Sequence, residues 1–122
     1  MNRKRIQQLR DHIASLPPKR IDLAGFLNGL HPDDSLGAAA EECGSVACVG
    51  GWACILFRPN RKRRGFDFAH EGARALGLLH PNFISITALR LFAGGPRGRA
   101  GKKEALRRLD ELLETGMIER FE

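Results

Sequence analysis

Hydrophobic side chains recur along this 122-residue chain mostly at three- and four-residue intervals, the spacing that gathers them on one face of an α-helix. Ile6, Leu9, Ile13 and Leu16 form the first stripe, separated by charged and polar residues. It stops at Pro17-Pro18, because proline lacks an amide proton and turns the residue before it away from helical angles. Ile21, Leu23, Phe26, Leu27 and Leu30 follow no clean period, and Gly25 and Gly29 interrupt them. Residues 20–30 therefore predict a short helical turn or an irregular hydrophobic clasp. Residues 31–42, with Pro32, Asp33, Asp34, Ser35 and Gly37, read as a loop from which Ala38 to Ala40 can begin the next helix.

A central helix is expected from about Ser45, whose hydroxyl can cap free amides, to a point before Pro59. Cys48, Trp52 and Ile55 then share a face, flanked by Val49 and Leu56. Gly50 and Gly51 each cost such a helix about 1 kcal/mol relative to alanine, which suggests a flat surface for a close helix contact. A third helix is predicted over residues 66–78, with Phe68, Ala69, Ala73 and Leu76 inward and Gly77 as its left-handed terminator. A fourth covers about residues 84–92. The clearest runs from Lys102 to Thr115, where Ala105, Leu106, Leu109, Leu112 and Leu113 make the buried stripe and Gly116 the stop. Strand signals are nearly absent, with no tyrosine and no alternating run between hairpin turns. The expected fold is mainly α, a compact single-domain bundle of four or five short helices over residues 1–122, with basic connectors at 58–65 and 94–101.

A hydrophobic fraction of 43% suffices for a modest core without metal or disulfide support. The longest apolar stretch, Val46 to Phe57, is too short for a bilayer core of roughly 30 Å, and no apolar signal-peptide region follows the basic start. The expectation is a cytoplasmic protein with no membrane partner. Three cysteines cannot all pair within the chain, so free thiols are the simplest state. The net charge of +6 is segmental. Basic residues gather at 1–20, 58–64 and 97–108, and acidic ones at 22–42 and 110–122, which predicts a molecule with a basic and an acidic side.

All three cysteines and the single tryptophan fall within residues 43–54. The string CGSVACVGGWA resembles the Cys-Gly-Thr/Ser-x-x-Cys-x-x-Gly-Trp-Ala signature of small uncharacterised proteins of bacteriophages, prophages and bacterial genomes. Ile21-Asp22-Leu23 resembles the clasp that precedes that signature. Ala73 to Leu78 and Leu91-Phe92 resemble the helix and the Leu-Phe pair that follow it. The similarity covers about residues 20–115 and brings no catalytic residue with it; Cys54 and the basic connector depart from the pattern. Cys43, Gly44, Cys48, Gly51 and Trp52 are expected to be structural or to form an interface.

The chemistry these residues can carry is narrow. A structural zinc site needs four ligands, usually with a close cysteine pair; here the cysteines are five and six residues apart, and His31, His70 and His80 would have to complete the set. Cys43 and Cys48 can be read as a redox switch, with Cys48 near a helix start that favours thiolate, against the simpler reading of buried inert thiols. A cysteine nucleophile served by Gly44 and Ser45 amides lacks a histidine in a catalytic signature. The glycines lack the lysine of a phosphate loop. Asp33-Asp34 and Glu41-Glu42 read as solvated charges, and His12 as an exposed one. Neither a catalytic residue nor a cofactor is implied. Arg58, Arg61, Lys62, Arg63, Arg64, Arg97, Arg99, Lys102 and Lys103 are candidate contacts to DNA or RNA phosphates, with residues 97–103 resembling a flexible basic arm. The leading expectation is a noncatalytic interaction module with a protein partner, a phage or prophage accessory factor acting on a bacterial protein. Nucleic-acid binding by the basic connectors is the first alternative, and a cysteine-based redox or zinc protein the second.

Overall fold

A computed structural model describes residues 1–25, 27–28, 34–38, 46–62, 67–79 and 85–116. The chain is mainly helical. Its first helix, α1 (Arg3–Ser15), is started by the Asn2 side chain, which accepts a hydrogen bond from the Arg5 amide, and it buries Ile6, Leu9 and Ile13 as the spacing predicts. Pro17-Pro18 ends it, and a 3₁₀ turn over Pro18–Arg20 leads into the clasp.

The clasp, among its described residues, has paired backbone in place of the expected helical turn or irregular segment, with Phe26, Gly29 and Leu30 outside them. Its middle is a narrow ladder of backbone pairings contributed by four distant segments. Strand β1 (Leu27–Asn28) pairs antiparallel with β2 (Val46–Ala47). Ile21 bridges Ala47 in the parallel sense, and Asp22 bridges Arg97 in the antiparallel sense. Three amide hydrogen bonds close it: Asp22 to the Ala47 carbonyl, Leu23 to that of Pro96, and Gly98 to that of Ile21. This pairing corrects the expected start of the central helix. Val46 and Ala47 spend their backbone groups on the ladder, so the helix α2 (Val49–Phe57) begins after them, with Cys48 as its cap: the Cys48 Sγ accepts from the Gly51 amide at 3.5 Å. Ser45, the expected cap, lies outside the described residues.

Val49 to Ile55 are all buried, so α2 has no single inward face; it is enclosed on every side, as an apolar helix in the middle of a core must be. Helix α3 (Phe68–Ala75) begins at Asp67, whose carboxylate accepts from the His70 amide. It packs on α2 more extensively than any other pair of described elements. A Cβ on Gly72 would sit 3.4 Å from the Gly50 carbonyl oxygen, in van der Waals contact with it. Gly72 thus lies at the contact between α2 and α3. Gly77 (φ +71°) and Gly116 (φ +78°) terminate α3 and the last helix in the left-handed conformation. Short helix α4 (Ile86–Leu91) is capped by Ser85 and buries Ala88 and Leu91.

The last helix, α5 (Gly98–Thr115), starts earlier than its hydrophobic stripe. The glycine and arginine segment expected to be an arm is its first turn. Gly101 makes this feasible, since a Cβ there would lie 2.5 Å from the Pro96 carbonyl oxygen. Ala105, Leu109 and Leu112 are buried as expected, Leu106 and Leu113 only partly, and Glu104 and Arg108 join the buried face. Helix α5 packs along α1, and one buried cluster runs from Ile6 to Leu112. Among the described residues no helix is long and apolar enough to cross a membrane.

Candidate functional site

Trp52 belongs to the core. Its side chain is 0% exposed, and its Nε1–H donates to the Arg20 carbonyl at 3.1 Å. The Arg20 guanidinium lies 4.9 Å from the indole ring, and the His12 ring packs at 5.3 Å between centroids. His12 is therefore not the exposed residue its neighbours Asp11 and Arg10 suggest. It is half-buried, and its Nε2 is shielded with no hydrogen-bond partner among the described residues. Burial first, then the Arg20 charge, push its imidazole below the ordinary value of 6.5.

That direction sets a pH dependence. The unfolded chain takes up the His12 proton near pH 6.5 and the folded one only at lower pH, so this contribution to stability is complete above about 6.5 and fades as pH falls toward the folded value. The urea midpoint of the native chain is expected to drop between pH 7.5 and 5.5, and that of His12→Phe to change less. Equal slopes in the two proteins would remove His12 as the cause. The Glu104 carboxyl acts in a separate, more acidic window: burial would raise it, but Arg107 and Arg108 more than offset that and hold it below 4.5.

Cys48 and Cys54 are enclosed. Burial pushes the Cys48 thiol up despite the amides of Gly51 and Gly50 that favour its thiolate, so the helix start does not make it a poised nucleophile. Burial likewise pushes Cys54 up, and its Sγ lies 3.4 Å from the Phe68 carbonyl. Cys43, Gly44, His31 and His80 fall outside the described residues. Among those described, no group of three or more His, Cys, Asp or Glu side chains could hold a metal ion.

The candidate phosphate contacts divide into two groups. Arg58 is committed within the fold, with Nε 3.6 Å from Glu71 and a hydrogen bond to the Phe57 carbonyl. Lys102 caps α1, its ammonium donating to the carbonyls of Ala14 (2.8 Å) and Leu16 (2.7 Å). Arg61 has an interaction of its own, and Arg63 and Arg64 lie outside the described residues. Lys62, Arg97, Arg99 and Lys103 are exposed, with no ion pair to a described residue. The acidic C-terminal run is also partly spent, for Asp110 pairs with Arg10 at 2.9 Å and Glu111 with Arg107.

Arg97 and Arg99 flank the first residue of α5, which has no side-chain cap and no acidic residue in its first turn, and Lys103 follows in the second turn. Because the clasp joins residues 21–23 to 96–98, Lys19 is brought to the same place. A groove of about 460 Å³ is lined by Lys19, Ile21, Asp22, Val46, Arg97 and Gly98. No family model, curated protein or solved structure matches this chain. Four exposed cations at the clasp and the start of α5 offer a positive field to an anion. Lys19 escapes a reading of the sequence because its partners in the site are far along the chain. Only the basic composition of residues 1–20 hints at it.

Proposed function

We propose that the chain is a noncatalytic helical module that binds nucleic acid through the basic end of α5. The observation that carries this reading is the grouping of Lys19, Arg97, Arg99 and Lys103, exposed and without an ion pair to a described residue, at the start of an 18-residue helix that has no side-chain cap. Phosphate neutralisation by such side chains releases counterions, so affinity falls with salt in proportion to the number of contacts. Replacing Arg97, Arg99 and Lys103 together by glutamine is expected to weaken binding of a labelled oligonucleotide and flatten the log–log salt slope by roughly 2 to 3, with helicity unchanged. Binding that ignores salt, or a slope unaltered by the triple substitution, would count against the reading.

A second reading is a protein contact through α4, favoured by Ile86 and Leu89, which are 68% and 56% exposed and lie one turn apart. It fits the setting implied by the resemblance to phage and prophage proteins, a factor acting on a bacterial protein. Ile86→Glu with Leu89→Glu is then expected to abolish crosslinking to host proteins that the triple glutamine variant retains; crosslinks that survive the double variant would exclude this face.

A further inference from the structure

The groove beside α5 is chemically divided, and the division says which part of a nucleic acid enters it. Its two cations, Lys19 and Arg97, are exposed, whereas Ile21 is buried and Val46 is half-buried. Asp22 also lines it, with one carboxylate oxygen already accepting from the Ala24 amide at 2.9 Å. Gly98 contributes no side chain, and a Cβ there would meet nothing within 4 Å, so the space over the start of α5 is open. A carboxylate beside aliphatic surface repels phosphate and desolvates it without compensation. The same surface accepts a neutral planar ring, and Asp22 offers an acceptor for a ring N–H. A ligand that satisfies the whole groove has an anionic part for Lys19 and Arg97 and a neutral flat part for Val46 and Asp22.

We infer that the groove seats one base of a single-stranded nucleic acid, with its neighbouring phosphates on Lys19, Arg97, Arg99 and Lys103. The inference rests on the nucleic-acid reading above and narrows it. A duplex keeps its bases stacked and paired and offers this groove only backbone, whereas a single strand presents free base faces. Arg99 and Lys103 carry the row of cations beyond the groove, which favours a strand over a lone nucleotide.

The experiment compares anisotropy titrations of (dT)12, an abasic 12-mer of equal charge and a 12-base-pair duplex, with thymidine monophosphate as competitor. Wild-type protein is expected to bind (dT)12 at least about fivefold more tightly than the abasic strand or the duplex, and the monophosphate to compete only at far higher concentration. Val46→Lys separates the alternatives by sign. It removes aliphatic surface and fills the groove, so it weakens (dT)12 binding severalfold if a base sits there; if only phosphates are bound, its added charge tightens both strands. Equal affinity for (dT)12 and the abasic strand, or tightening of both by Val46→Lys, overturns the base site while leaving the nucleic-acid reading intact, and a monophosphate as tight as (dT)12 overturns the strand. Absence of binding to every oligonucleotide overturns both. Should Val46→Lys fail to fold by circular dichroism, the wild-type comparison of (dT)12 with the abasic strand decides alone.

Discussion

Trp52→Ala is expected to lower the free energy of unfolding by about 3 to 5 kcal/mol, measured by denaturant titration followed in the far ultraviolet, since the variant loses the only indole chromophore. The side chain is fully enclosed, so its removal leaves a cavity in the middle of the core. It also strips the Arg20 carbonyl of its N–H donor and the Arg20 guanidinium of the ring it covers. Domains are usually stable by only about 5 to 15 kcal/mol, so this single change consumes a large share of the total. Trp52→Phe keeps an aromatic ring for Arg20 and His12 and is expected to cost appreciably less. A loss below about 1 kcal/mol for Trp52→Ala is incompatible with a core tryptophan.

Arg108→Ala is expected to be comparably damaging, at about 3 to 5 kcal/mol. The guanidinium is 0% exposed and donates to the carbonyls of Ala93 (2.6 Å), Gly94 (3.2 Å) and Leu91 (3.4 Å). Its Nε lies 3.4 Å from the Glu104 carboxylate as an ion pair without a hydrogen bond. Truncation takes the donor from those carbonyls, the bond to Leu91 being fully buried and the other two partly, and removes one of two cations holding Glu104 ionised. The loss comes from the stranded partners, so Arg108→Met combined with Glu104→Gln is expected to cost less than Arg108→Ala alone. A double-mutant cycle with guanidinium denaturation measures the difference. Simple additivity would mean that the pair acts as two independent side chains.

How far the sequence discloses this architecture depends on whether a residue's partners are local. The stripe of α5 holds at Ala105, Leu109 and Leu112, while Leu106 and Leu113 are only partly buried. The face of α1 and the glycine stops at 77 and 116 follow from spacing and backbone preference, and they hold. The starts of α2 and α5 do not, because long-range pairings decide both. Ala47 is claimed by the clasp, and Gly98 donates to Ile21, neither of which a helical period contains. Arg108 carried a usable signal, since it lies three residues after Ala105 and four before Leu112 on the buried stripe; its charge argued it outward. His12 stands three residues after Leu9, at the edge of its own helix's buried face, and the charged residues beside it hid that placement. The cations of the proposed interface were visible individually. Which of them remain unpaired, and that Lys19 joins Arg97, required the fold.

The clasp gives the groove an unusual dependence on the rest of the molecule. One wall comes from residues 19–22, the floor from β2, and the opposite wall from the start of α5, so the site has the contact order of the whole chain even though most of the fold is local helix. Individual helices can form while the groove does not exist. A ligand held there distinguishes the complete fold from every partly assembled helical state, and it stabilises by mass action only the former. Binding at this groove is, in effect, a report that the clasp and the start of the last helix have met.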